Sequence, residues 1–113
     1  MDLKELQETV DLWIKTYGVR YFSESTNTMV LMEEVGELSR LMARVYGEQS
    51  FKKDRDKDTA KQDIAEELGD IVFVITCLAN QMDMDLNQIM MDNLAKKTGR
   101  DHKRHHDNPK LNK

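Results

Sequence analysis

The sequence predicts an all-α protein, an antiparallel four-helix bundle. Two features carry that expectation. The first is composition: 113 residues with a single proline, five glycines, 39% apolar and 34% charged residues leave little material for tight β-turns. The second is periodicity. Apolar residues recur every three or four positions in four separate stretches, and no two-residue hairpin signal lies between alternating runs. At this length the chain is one domain, near the small end of what buries a self-sufficient core.

Leu3, Leu6, Val10 and Ile14 make residues from about 2 to 16 an amphipathic helix, with Gly18 as its stop. The polar stretch Ser23 to Thr28 supplies caps for a second helix over about 27 to 46, whose stripe is Val30, Leu31, Leu38, Leu41, Met42 and Val45, with Gly47 after it. Residues 48 to 61 lack apolar periodicity and read as a solvated connection. A third helix over about 62 to 82 carries Ile64, Leu68, Ile71, Val74, Ile75, Leu78 and Met82. Asp85 resembles an N-cap for a fourth, with Leu86, Ile89, Met90 and Leu94 inward and Gly99 as its end. The expected organisation is one helical domain over 1–100 and a basic, flexible tail over 101–113.

Several function classes drop out early. No stretch reaches the ~20 apolar residues of a membrane span, and the start lacks a signal peptide's apolar stretch. A lone cysteine, Cys77, inside the apolar run Ile71–Ala79 reads as a small core residue and fits a reducing cytoplasm. The net charge of −4 argues against non-specific nucleic-acid binding. Asp54, Asp56 and Asp58 imitate the start of a calcium-binding EF-hand loop, but Thr59 and Ala65 stand where its glycine and its bidentate glutamate belong. Eight methionines point to a core packed through flexible thioethers.

A short internal repeat is more informative. Glu33-Glu34-Val35-Gly36-Glu37-Leu38 on the second helix matches Glu66-Glu67-Leu68-Gly69-Asp70-Ile71 on the third. In each copy the second and third acids are three residues apart, on one face of the helix. Glu34 and Glu37 interrupt the apolar stripe of their helix; Glu67 lies in the next stripe and Asp70 borders it. Burying uncompensated carboxylates costs several kcal/mol or more, on the order of the penalty for any unpaired buried charge. The stripes contain no Lys or Arg, since Arg40 and Arg44 lie off them. A hard divalent cation answers that need: oxygen-only ligands favour Mg²⁺, with Mn²⁺ or Ca²⁺ as alternatives. A ferritin-like di-iron centre would place histidines beside such glutamates, whereas His102, His105 and His106 all lie in the tail. Gly36 and Gly69, at matching places, suggest close helix approach.

At these residues the chain resembles the MazG-like all-α nucleoside triphosphate pyrophosphohydrolases, marked by Glu-Glu-x-x-Glu, a spacer, then Glu-x-x-Asp. Here the two parts are residues 33–37 and 67–70, with a spacer slightly longer than the family's usual range. The resemblance covers helices two to four. It implies Mg²⁺-dependent hydrolysis of a nucleoside or deoxynucleoside triphosphate to monophosphate and pyrophosphate, by water attack at the α-phosphorus. Glu34, Glu37, Glu67 and Asp70 would hold the metal, with Glu33 or Glu66 as general base. Asn93, Lys97 and Arg100 would contact the phosphates, Lys96 competing with Lys97. Tyr17, Tyr21 and Phe22 offer a base-stacking surface, and Trp13 reads as core or subunit interface. The family forms dimers or tetramers, which implies a homodimer or homotetramer. The alternative is a catalytically inactive helical interaction protein of the same fold.

Overall fold

The computed structural model describes residues 1–52 and 57–112. It contains α1 (Leu3–Trp13), a π-helical turn (Ile14–Gly18), α2 (Glu24–Val45), α3 (Lys57–Gln81) and α4 (Leu86–His106), with no strand among the described residues. The all-α fold class holds. Of the aspartates that imitate a calcium loop, Asp54 and Asp56 lie outside the described residues. The expected connection is shorter than its composition suggests, because α3 already begins at Lys57.

Capping explains where three helices begin. Asp2 accepts from the Glu5 amide at 2.8 Å and Ser23 from the Thr26 amide at 3.2 Å. Asp85 accepts from the amides of Asn87 (2.9 Å) and Gln88 (3.3 Å). Each cap satisfies donors that the first helical turn leaves unpaired. At the end of α2 a Cβ on Gly47 would sit 2.5 Å from the Ala43 carbonyl oxygen, so only glycine fits the chain's exit.

α2 and α3 form the most extensively packed pair, α1 lies against α3, and α4 meets α1. Val10, Ile14 and Cys77 form a buried cluster, with Leu6, Tyr21 and Phe73 against it. Cys77 is the core residue expected of it. Beside this cluster runs an amide network. Gln7 Nε2 donates to Asn80 Oδ1 (3.0 Å) and to the Met84 carbonyl (2.8 Å). Asn80 Nδ2 donates to the Gln7 carbonyl (3.0 Å) and to the Tyr21 hydroxyl (3.1 Å). The Leu86 amide donates to Gln7 Oε1 at 2.9 Å, so one glutamine ties α1, α3 and the start of α4.

Three sequence expectations are corrected here. Gly36 and Gly69 mark no close helix approach, since a Cβ built on either meets nothing within 4 Å. Leu68, Ile75 and Met82 on α3, and Ile89, Met90 and Leu94 on α4, are 40–58% exposed rather than inward. Periodicity identifies an apolar face but not whether the same chain covers it. Finally, α4 does not stop at Gly99. It runs to His106, with Thr98 Oγ1 donating to the Leu94 carbonyl (2.9 Å) and Asp101 paired to Arg100 (2.8 Å) and Arg104 (3.3 Å). Basic residues in its last turn, Lys103 to His106, suit the negative end of the helix dipole. Every residue of α4 from Asn87 to Arg100 is exposed. The molecule is correspondingly extended, 48 × 46 × 27 Å.

Candidate active site

The α2–α3 pairing brings the two halves of the acidic repeat face to face. Glu34 from α2 and Glu67 and Asp70 from α3 each offer an oxygen, and these oxygens lie within 4.8 Å of one another. One turn of helix separates Glu67 from Asp70, and both meet Glu34 across the helix pair. Glu67 Oε2 is buried and has no hydrogen-bond partner. A buried carboxylate oxygen without a donor is costly.

The electrostatics show the crowding. The Glu34 carboxyl is raised above the ordinary glutamate range, first by its hydrogen bond with Glu67, then by burial and the Glu67 charge. Asp70 is raised by burial first, then by the charge of Glu34. Such acids accept a proton or a cation readily. Three carboxylates with one orphaned oxygen are a hard, oxygen-only donor set that fits Mg²⁺, Mn²⁺ or Ca²⁺ and lacks the nitrogen or sulfur a softer metal prefers.

Glu37 stands apart. Its carboxylate meets Arg40 at 3.4 Å, with the two side chains 53% and 45% exposed. Glu33 and Glu66 are exposed beside the trio and outside it.

Next to Glu34 and Asp70 lies a cavity of about 400 Å³. Its mouth is formed by Trp13, Arg20 and Phe22, and its floor by the buried residues Ile14, Asn27, Val74 and Cys77. Trp13 packs edge-on to Phe73 with ring centroids 5.6 Å apart. Tyr21 contributes its ring to the wall while its hydroxyl donates to Asp11 Oδ1. Of the proposed stacking residues, Tyr21 and Phe22 line this cavity, and Tyr17 does not. Trp13 belongs to the cavity rather than to a closed core, being 48% exposed. At the rim, the Arg20 amide donates to the Gly18 carbonyl (2.8 Å) around Val19, whose φ of 71° and ψ of −59° make a γ-turn.

Asn93, Lys97 and Arg100 are exposed on α4 and do not line this cavity. Arg100 is engaged by Asp101, and Lys97 lines a separate hollow near the end of α4. Within one chain, then, Glu34, Glu67 and Asp70 are brought together and the α4 residues are not.

Sequence reasoning missed Arg20, Asn27, Phe73 and Gln81. For two of these the signal was present. Asn27 continues the row Val30, Glu34 on α2, and Gln81 continues Asp70, Val74, Cys77 on α3 at alternating steps of three and four.

Helices alone, paired acids from two of them and a cavity alongside are the make-up of the all-α nucleotide pyrophosphatases. Residues 22–105 match the MazG nucleotide pyrophosphohydrolase domain family, and the chain belongs to that family. It is 37% identical over 86 residues to the uncharacterized protein YpjD of Bacillus subtilis (strain 168), covering 76% of this chain and 74% of YpjD. Two solved structures are similar. The Bacillus-conserved MazG protein, described as a nucleotide pyrophosphohydrolase, has a TM-score of 0.70 and 33% identity, over 85% of this chain and 88% of that one. The putative pyrophosphatase YPJD of Bacillus subtilis has a TM-score of 0.72 and 34% identity, over 85% and 94%.

Proposed function

We propose that this nucleotide pyrophosphohydrolase splits a nucleoside or deoxynucleoside triphosphate into the monophosphate and pyrophosphate with the help of Mg²⁺, Mn²⁺ being able to substitute. The observation that carries this reading is the orphaned Glu67 oxygen inside a trio of carboxylates that opens on a nucleoside-sized cavity. Glu34, Glu67 and Asp70 would hold the cation. Glu37 would join them as a fourth ligand on leaving Arg40, an exposed pair worth at most about 1 kcal/mol. When bound, Mg²⁺ supplies the positive charge that lets a polyphosphate approach an acidic site and makes water more acidic.

The chain's own residues then do three things. Aromatic side chains at the cavity hold the base, which fixes the α-phosphorus over the acids. Glu33 or Glu66, beside the trio, accepts the proton of the attacking water. As the water oxygen bonds to the α-phosphorus, the bond to the bridging oxygen breaks and pyrophosphate leaves.

Phosphate contacts from Asn93, Lys97 and Arg100 require α4 of a second copy, because α4 of the same chain lies away from the cavity. A homo-oligomer, dimer or tetramer, also accounts for the apolar residues left at 37–64% exposure on α2 (Met29, Met32, Val35) and α3 (Leu68, Val72, Ile75). No helix among the described residues is long and apolar enough to cross a membrane; we place the enzyme in the cytoplasm, on nucleotide substrates rather than nucleic acid. The test is incubation with ribo- and deoxyribonucleoside triphosphates and Mg²⁺, with detection of pyrophosphate and of subunit number by light scattering. Pyrophosphate release that stops in EDTA is expected. No turnover of any nucleotide would leave the reading of an inactive helical interaction protein.

A further inference from the structure

The floor of the cavity holds one polar side chain among apolar ones. Asn27 is 6% exposed, in the first turn of α2, with Ile14, Val74 and Cys77 around the same floor. Its amide orientation follows from the hydrogen bonds beside it. Gln81 Nε2 donates to the Phe22 carbonyl, which can only accept, so Gln81 turns its own oxygen toward Asn27. Asn27 Nδ2 donates to that oxygen at 2.8 Å. One of the two Asn27 N–H groups is thereby engaged, and its Oδ1 is left over on the other branch of the amide. Among the described residues no N–H or O–H donates to Asn27 Oδ1. The relay from a backbone carbonyl through Gln81 fixes an acceptor at the cavity floor.

We propose that Asn27 is a specificity-determining residue that reads the nucleobase, accepting a hydrogen bond from an exocyclic amine and so favouring cytosine or adenine nucleotides over their keto counterparts. An amine at the floor meets Oδ1. A carbonyl oxygen set against Oδ1 meets another acceptor, since the second Asn27 N–H is on the other branch of the amide, whose orientation the Gln81 bond fixes, and Arg20 stands at the mouth. The Tyr21 hydroxyl gives it no help, because its proton goes to Asp11. Sites built around a hydrogen bond reject analogues that lack it far better than apolar pockets reject a change of size. An unpaired buried polar group corresponds to discrimination of about tenfold or more.

This inference rests on the pyrophosphohydrolase reading of the same site, and its test separates the two. The kcat/KM values for CTP against UTP and ATP against ITP are compared in wild type and in Asn27→Leu, which removes the acceptor and keeps the branching at Cγ. The wild-type protein should prefer the amino base of at least one pair by about tenfold or more, and Asn27→Leu should bring that ratio near one. Turnover with amino-to-keto ratios near one in wild type overturns the inference and leaves the function standing. A variant that melts lower but keeps the preference reduces Asn27 to a structural tie between α2 and α3, which also overturns it. Should Asn27→Leu fail to fold, wild type alone decides. The 2-pyrimidinone analogue of CTP and the purine riboside analogue of ATP lack only the amine, and the analogue of the preferred nucleotide should lose about tenfold; unchanged kcat/KM overturns the assignment. Calorimetric binding of CMP, UMP, AMP and IMP gives the second readout. Binding that prefers the amino base without any turnover keeps the base assignment and defeats the hydrolase. Absence of both turnover and binding defeats both.

Discussion

Glu67→Gln should invert the order of thermal stability depending on metal. Without metal, the wild-type trio carries its own repulsion, with ligand oxygens within 4.8 Å of one another. Two unit charges at that distance repel by about 3.5 kcal/mol at an effective dielectric of 20, and screening at a partly open site together with proton uptake lowers this to about 1–2 kcal/mol. A glutamine removes one charge and brings an N–H₂ group that can donate to Glu34 or Asp70. The metal-free variant should therefore melt higher, by about 4–8 °C for a gain near 1–2 kcal/mol in a chain of this size. Magnesium changes the comparison. A ligand at a hundred times its dissociation constant stabilises the folded state by about 2.7 kcal/mol, and the wild-type protein should gain most of it while the variant, short of one anionic ligand, gains little. Wild type should then melt level with or above Glu67→Gln, and the variant should lose about a hundredfold or more in turnover, beyond what loss of a group supporting the ligands costs. The assay is a melt followed by circular dichroism at one protein concentration, in EDTA and in excess Mg²⁺, beside pyrophosphate release. A variant that melts lower than wild type in EDTA and keeps both its Mg²⁺ shift and its turnover would refute the reasoning, because the trio would then be a structural cluster.

Three further outcomes are expected. Glu37→Gln should cut turnover about tenfold or more if its carboxylate leaves Arg40 for the cation, and activity within twofold of wild type would leave Glu37 as a surface ion pair. Of Glu33→Gln and Glu66→Gln, one should lower kcat by about a hundredfold, the lower bound for a lost general base, while leaving the Mg²⁺-induced melting shift intact; if neither does, the base is elsewhere. The Tyr21 phenol is pushed up to about 12 by burial and by its hydrogen bond to Asp11. Between the ordinary tyrosine value near 10 and that value, the folded state keeps a proton that the unfolded state has lost. Its contribution is thus complete below about pH 10 and disappears as pH rises through about 12. Absorbance titration should show one late phenol that Tyr21→Phe removes, and the urea midpoint of wild type should fall more steeply than the variant's across that interval.

What was legible in the sequence and what was not divide along a physical line. Local chemistry was readable. Ser23 and Asp85 cap the helices they precede, and Leu6, Val10 and Ile14 of the first row face the core they were expected to face. The acidic repeat was readable too, because its phase placed Glu34 and Glu67 in apolar stripes where a surface acid is out of place. The choice of which acids meet is a matter of three dimensions: Glu37 interrupts its stripe where Asp70 only borders one, yet Glu37 lies beside Arg40. Spacing gave no means to separate them. Long-range amide bonds were illegible for a different reason. Gln7 and Asn80 look like ordinary surface residues in sequence, and only the packing of α1 on α3, with Tyr21 beside them, gives them partners.

The same contrast explains the exposed fourth helix and links the fold to the site. Acids that repel one another need a frame that does not yield, and on the α1 side the Val10–Ile14–Cys77 cluster and the Gln7–Asn80–Tyr21 network supply it. That side is also the one with the aromatic cavity, so the residues that stabilise the fold position the wall against which a base would rest. Lysine or arginine set directly against the trio would pair with the acids, as Arg40 pairs with Glu37; Arg20 lines the cavity but turns to the Tyr21 carbonyl. α4 carries its basic residues away from the trio, on a helix exposed from Asn87 to Arg100. On the proposed reading, keeping the cations on a separate helix would leave the carboxylates free for metal, and activity would depend on whatever brings a second α4 to the site. A mixing experiment follows from this. Glu67→Gln and Lys97→Ala/Arg100→Ala chains, each inactive alone, should recover part of wild-type turnover when combined, because one kind of site in the mixed oligomer then has both an intact trio and an intact α4. Failure of the mixed sample to exceed its components, with subunit exchange confirmed by mass, would mean that each chain completes its own site.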